Sequence, residues 1–239
     1  KSIEPMRAHG VDAMSIGLMV EQDTPMIWRG PMATSALTQL LEQTLWGSDG
    51  QLDYLIVDLP PGTGDIQLTL AQKIPVAGAV VVTTPQDVAT LDARKALRMF
   101  EKVHVPVLGL VENMAVHVCS NCGHVEHLFG QGGGERIAAQ YGVPLLGSLP
   151  LDIGIREQGD AGTPIVAAAP DSPAAAAYRA TARRMAAELA RRPRAPGPAR
   201  CLPGRAGRRA DPARRRGARL PRRACLGPAV HVGAAAHGV

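Results

Sequence analysis

Three short stretches of this 239-residue chain gather side chains able to do chemistry. The first is Cys119-Ser120-Asn121-Cys122-Gly123-His124. Two thiolates three positions apart can bind one metal, and a glycine after the second permits a tight knuckle. Three readings fit that spacing. A structural zinc site needs two further ligands; a second Cys-x-x-Cys is absent, so His117, His124 or His127 would have to serve. A thioredoxin-type redox pair belongs at a helix N-terminus after a strand, whereas this pair lies in a segment containing Gly and His. Two copies of the chain would bring four thiolates together, the usual ligand set of a [4Fe–4S] cluster. The motif alone ranks zinc and cluster equally, and two unligated cysteines are less expected at this spacing.

The second stretch is Leu55-Ile56-Val57-Asp58-Leu59-Pro60-Pro61-Gly62-Thr63-Gly64-Asp65. An apolar strand ending in an aspartate is where P-loop NTPases hold Mg²⁺. A glycine in the following turn lets a backbone N–H approach a γ-phosphate, because no Cβ blocks it. Asp58, Gly62 and Thr63 are therefore candidate nucleotide residues. A bare strand-end aspartate is as often an ordinary turn or helix cap; the Pro-Pro-Gly-Thr-Gly-Asp context favours the nucleotide. The third stretch is Glu112-Asn113-Met114. An asparagine offers both a donor and an acceptor and could read an adenine edge, though alone it would pass for a turn former. Pro150, at the end of another apolar run, could line the same base pocket.

These residues need strands and helices to position them. Continuous apolar runs are expected as strands over 14–20, 54–58, 78–83, 107–111 and 145–149. Helices are expected from Pro31, with Leu37, Leu40, Leu41 and Leu45 as its apolar stripe, and over 65–73, 87–103 and 134–141. The 87–103 helix should bury Leu91, Leu97 and Phe100. Ser172-Pro173 opens an Ala-rich helix reaching about Arg191. Buried strands alternating with helices predict a doubly wound, mostly parallel α/β sheet. Ligands bind such sheets at the carboxyl ends of the strands, where Asp58, Thr83-Thr84 and Asn113 stand. The segment 115–129 breaks the rhythm and reads as an inserted loop or hairpin. Gly130 to Gly134 lacks a following Lys-Ser or Lys-Thr and reads as a flexible hinge.

Composition sets the outer limits. The net charge of +5 conceals an asymmetry. Residues 191–239 hold 13 of the 26 basic residues and only one of the 21 acidic ones, Asp211, so they carry +12 and the remainder −7. A specific nucleic-acid reading would rest on that tail alone. Dominated by Arg, Pro, Ala and Gly, residues 192–239 are expected to lack a core and stay disordered. Residues 1–191 are expected to form the domain. No apolar run approaches the roughly 20 residues of a membrane span, and the first residues lack a signal-peptide pattern. A soluble cytoplasmic protein is expected, without a disulfide framework.

Taken together, the stretches resemble the Mrp/ApbC family of iron–sulfur cluster carriers, within the MinD-like deviant P-loop ATPases. The matching segments are Pro25-Met26-Ile27-Trp28-Arg29-Gly30-Pro31-Met32, Asp58 to Asp65, Thr83-Thr84-Pro85-Gln86-Asp87 and Glu112-Asn113-Met114. They continue with Cys119 to His124, Phe129-Gly130 and Ile155-Arg156-Glu157-Gln158-Gly159-Asp160. The resemblance covers residues 1 to about 190. It implies a P-loop NTPase fold and a homodimer that binds ATP and holds a labile [4Fe–4S] cluster between two Cys-x-x-Cys pairs. The cluster would pass to apo iron–sulfur proteins, in the company of cluster scaffold proteins. By resemblance Asp58 is the Mg²⁺-associated aspartate, Gly62 a γ-phosphate contact, Asn113 an adenine contact, and Cys119 and Cys122 the cluster ligands.

The sequence departs from the family in one serious respect. The family's Lys-Gly-Gly-x-Gly-Lys-[Ser/Thr] phosphate loop lies upstream of the matching segments and occurs nowhere in these 239 residues. The expectation is an N-terminally truncated member that binds ATP poorly alone and hydrolyses it negligibly, since that loop neutralises the β- and γ-phosphates. Ser120 stands where the family commonly has proline. A positioning ATPase of the MinD or ParA type and a non-enzymatic zinc module are the competing functions. The Cys-x-x-Cys segment and the weak apolar face of the 173–191 helix speak against the first.

Overall fold

The computed structural model describes residues 2–19, 30–47, 51–59, 69, 76–192, 201–202, 224–226 and 229–234. The chain divides into two units, one of residues 1–55, 65–75 and 196–229 and one of residues 56–64, 76–195 and 230–239.

In the first unit, β1 (Met6–Ala8) and β2 (Val11–Ala13) form an antiparallel hairpin about His9 and Gly10. Arg7 Nε donates to Asp12 Oδ1 at 2.8 Å, and Asp12 Oδ2 accepts from the Gly47 N–H at 3.1 Å. The strand expected over 14–20 is instead a 3-10 turn at Ile16–Leu18. The Ser15 hydroxyl accepts from the Gly17 N–H at 3.2 Å, a local bond that competes with strand pairing, and Leu18 and Met19 are exposed. α1 (Gly30–Gln43) follows the predicted helix and buries Leu41. Thr44 bridges back to Ile3, and β3 (Gln51–Leu52) follows. The helix expected over 65–73 lies outside the described residues, Thr69 apart.

The second unit is built on a mostly parallel sheet. β4 (Leu55–Leu59) buries Leu55 and Leu59 but exposes Ile56 and Asp58. The apolar run predicted burial on both faces; the structure covers one. β5 (Val76–Thr83) is buried continuously from Gly78 to Val81. α2 (Asp87–Lys102) turns Ala89, Thr90, Ala93, Ala96, Leu97 and Phe100 inward. Leu91, expected in the core, is 52% exposed. It stands two positions from both Ala89 and Ala93, on the far side of a helical turn of about 3.6 residues.

β6 (Val107–Val118) lies parallel to β5, with Ala79 to Thr83 facing Val107 to Glu112. It runs well past the predicted 107–111. Its extension pairs antiparallel with β7 (Val125–Glu126), so the inserted segment is a hairpin. Next come α3 (Gly133–Tyr141) and β8 (Leu145–Leu151), the latter parallel to β6. Two helices unforeseen in the sequence, α4 (Ile153–Asp160) and α5 (Ile165–Ala168), precede α6 (Pro173–Ala190). The Ser172 hydroxyl caps α6 by accepting from the Ala175 N–H at 3.1 Å. Leu189, Tyr178 and Met185 of α6 pack on Val80, Leu108, Val111, Leu146 and Leu149 of the sheet. These residues form one cluster of the core, and β6 runs through it.

The tail was expected to lack regular structure. Three short strands are nevertheless present where its composition turns from Arg and Pro to Ala, Val, Leu and Cys. β9 (Cys201–Leu202) and β10 (Ala224–Leu226) pair with Cys201 opposite Cys225, and β10 runs parallel to β3. β11 (Ala229–Ala234) stands between β4 and β5 in the sheet order. The rest of residues 193–239 lies outside the described residues. Among the described residues no helix is long and apolar enough to cross a membrane.

Candidate functional site

The thiols sit at the tip of the β6–β7 hairpin. His117 pairs with Glu126 and Val118 with Val125, which brings the two arms together just before Cys119. Two backbone bonds close the tip. The Cys119 N–H donates to the His124 carbonyl at 2.9 Å, and the Gly123 N–H donates to the Cys119 carbonyl at 2.8 Å. Gly123 takes φ +72, with open space around its Cα. That left-handed turn is easy for glycine and costly for most other residues. The knuckle read from the sequence is therefore formed by this backbone.

Both cysteines are free, Cys119 half-buried and Cys122 exposed. Backbone N–H groups of Cys122 and then Asn121, with the Cys122 thiol, hold the Cys119 thiol below its ordinary value. Burial and the Glu126 carboxylate oppose this more weakly. N–H groups aimed at a sulfur favour the thiolate, which is the form that binds metals. This donor set suits a soft metal or a cluster.

The three histidines do not complete it. His117 Nδ1 lies 3.1 Å from the Leu151 carbonyl of β8, and His127 Nδ1 lies 3.0 Å from the Ala115 carbonyl of β6. His124 Nε2 stands 3.9 Å from Glu126 Oε1, both exposed. Among the described residues no three of His, Cys, Asp and Glu gather as a metal site. The single-chain zinc reading, which needed a histidine beside the thiols, gains no support from this arrangement.

Of the nucleotide candidates, Asp58 and Pro150 stand near the carboxyl ends of β4 and β8, whereas Asn113, expected at a strand end, lies inside β6, which continues to Val118. Thr83, Glu112 and Ser148 align across β5, β6 and β8. Beyond Glu112 the β6–β8 ladder is irregular and resumes at Val116 opposite Pro150. Asn113 lies in that irregular stretch, so Asn113 and Pro150 come to neighbouring strands at one end of the sheet. Asn113 Oδ1 accepts from the Met114 N–H at 3.0 Å, which leaves the side-chain NH₂ to donate elsewhere. Met114 takes φ +54, a left-handed conformation unusual for an unbranched, non-glycine residue. Asp58 is exposed near the end of β4. Gly62 and Thr63 lie outside the described residues.

Sequence reasoning gave Glu112 no role of its own and read Gly133 only as part of a hinge. Glu112 is 4% exposed, and its Oε1 accepts from the Gly134 N–H at 2.7 Å. A carboxylate there meets both an orphan donor and the positive end of the α3 dipole. A Cβ on Gly133 would lie 2.5 Å from the Pro85 carbonyl oxygen. The segment read as a flexible hinge is thus pressed against the turn after β5. The signal was available: a charged residue closing an apolar run, and three successive glycines before a helix.

Comparison with known proteins identifies the family. The ParA family model, described as NUBPL iron-transfer P-loop NTPase, matches residues 1–186. An iron-sulfur cluster carrier protein of Pseudomonas fragi is 63% identical over 175 residues, 73% of this chain and 60% of its own length. The Escherichia coli K12 protein of the same description is 60% identical over 185 residues, 77% of this chain and 49% of its own. The mouse iron-sulfur cluster transfer protein NUBPL is 49% identical over 176 residues, 74% of this chain and 54% of its own. A nucleotide-binding protein of Archaeoglobus fulgidus, solved in complex with ADP, superposes with a TM-score of 0.55 at 35% identity. That match covers 67% of this chain and 61% of the other. The chain spans about half the length of the curated relatives it matches.

Proposed function

Because the chain belongs to the ParA family of NUBPL-type iron-transfer P-loop NTPases, we propose that it carries an iron–sulfur cluster as cargo on Cys119 and Cys122. The observation that carries this reading is the hairpin tip: two free thiols, one held toward its thiolate by backbone N–H groups. One chain supplies two such ligands, and no third stands beside them among the described residues. A [4Fe–4S] cluster takes four thiolates, so the cargo is shared by two copies of the chain, tip to tip. Exposure of the tip suits hand-over to apo iron–sulfur proteins and exchange with cluster scaffold proteins. A cytoplasmic setting, where thiols stay reduced, suits it too.

In the same proposal ATP and Mg²⁺ occupy the carboxyl end of the sheet. Asp58 would stand toward Mg²⁺, Gly62 and Thr63 toward the γ-phosphate, and Asn113 with Pro150 toward the base. Mg²⁺ and the phosphate loop neutralise charge on the phosphates in such enzymes. The 239 residues contain no Lys-Gly-Gly-x-Gly-Lys-[Ser/Thr] stretch, so this chain alone is proposed to bind ATP weakly and to release phosphate negligibly.

Anaerobic reconstitution with iron and sulfide tests the cargo. The expected result is broad visible absorbance with about four irons per two chains, lost in both Cys119→Ala and Cys122→Ala. Tight zinc at one ion per chain, with no iron uptake, would establish the zinc module instead.

A further inference from the structure

His117 and His127 flank the thiol pair, one on each arm of the hairpin. Each ring points its Nδ1 at a backbone carbonyl: Leu151 on β8 for His117, and Ala115 at the base of the hairpin for His127. A carbonyl oxygen only accepts, so Nδ1 must donate in both rings, which sets the tautomer. The two bonds tie different things. The His117 bond fastens the outgoing arm sideways to β8, where the β6–β8 ladder, resumed at Val116 opposite Pro150, places His117 opposite Leu151. The His127 bond fastens the returning arm to the buried Ala115, past the two-residue strand β7. So short a ladder holds a hairpin poorly by itself.

We propose that His117 and His127 are positioning residues, the two staples that hold the Cys119–Cys122 knuckle in its metal-ready geometry, and are not ligands. An Nδ1–H bond to a carbonyl also orients many metal-bound imidazoles, so a ligand role is the competing explanation. The geometry favours the staple, because no third donor gathers with the thiols among the described residues. The inference rests on the cargo reading only for its biological purpose. The preorganisation itself is a property of the protein without cargo.

The test is anaerobic cobalt(II) titration of the full chain, followed through thiolate-to-cobalt charge transfer and the cobalt d–d bands. Asparagine places its side-chain NH₂ at the same distance from the backbone as Nδ1, whereas glutamine places it one bond further out. His127→Ala and His127→Gln should weaken cobalt binding by roughly three- to ten-fold, the worth of one hydrogen bond. His127→Asn should restore it, with the d–d bands of all variants unmoved. The same order is expected at His117. Thermal unfolding of each variant separates loss of the hairpin from loss of the fold. Equal affinity in every variant would overturn the proposal. So would equal losses in the Ala and Asn variants, or shifted d–d bands, which would make the imidazoles ligands. Should the variants follow the staple order while the wild-type chain refuses iron and sulfide, the cargo reading falls and the staples stand.

Discussion

The thiol hairpin and the cross-strand cluster around Asn113 are two ways of building a site. The hairpin is local: its ligands, closing backbone bonds and one of its staples lie between Ala115 and His127, and only Leu151 comes from elsewhere. The cross-strand cluster is assembled from afar. Thr83, Glu112 and Ser148 meet only because three parallel strands bring them into register. Gly133 and Gly134 then fold over them from the start of α3. A local site survives damage to distant elements as long as its root holds. An assembled site inherits every error of the sheet.

Four measurements sharpen or break this contrast. The largest effect is all-or-none: Cys122→Ala should abolish cluster uptake while leaving urea unfolding within about 0.5 kcal/mol of wild type, as for other exposed surface changes. A large loss of stability would show that the hairpin is not separable from the fold. Leu108→Ala comes next. Leu108 is fully buried at the root of β6, so truncation should cost about 2–5 kcal/mol and weaken both regions together in denaturant melts. Gly133→Ala should cost about 1–3 kcal/mol, because the new methyl meets backbone that cannot yield. Cobalt binding at the thiols should stay unchanged in that variant; a parallel fall would mean that the two sites are coupled. The smallest effect concerns Cys119. Its thiol is held below its ordinary value, so the thiolate persists to lower pH than in a free cysteine. Mass-resolved alkylation against pH should place its midpoint below that of an unstructured cysteine peptide, and a midpoint at or above the peptide's would remove the proposed N–H support.

Legibility in the sequence followed the same divide. The Cys-x-x-Cys-Gly-His spacing announced the knuckle, because a local motif carries its geometry with it. The strands β5, β6 and β8 and the Ser172-capped α6 were readable from apolar runs and a capping residue. Asp58 and Pro150 were found near strand ends, while Asn113 was misplaced there because β6 continues past it to Val118, and nothing in their spacing says which strands adjoin. The phase of α2 was misjudged at Leu91, since several alanines form the true inward stripe and alanine gives a weak periodic signal. The 14–20 run misled because Ser15 offers the backbone a bond of its own. The extension of β6 through Met114 was unreadable, since a left-handed methionine has no sequence signature. The histidines were weighed as ligands because residue type says nothing about which ring nitrogen is already engaged.

β6 joins the two regions as one strand with uneven stiffness. From Ala79 opposite Val107 to Thr83 opposite Glu112 it is laced to β5, and from Leu110 to β8. Past Met114 the lacing thins to a few bonds and two imidazoles. A force applied at the thiols would meet a compliant tip on a rigid mount. The tip would swing while the root, loaded in shear along many parallel bonds, stayed still. A pull on the knuckle would therefore move it without unravelling the sheet that holds it.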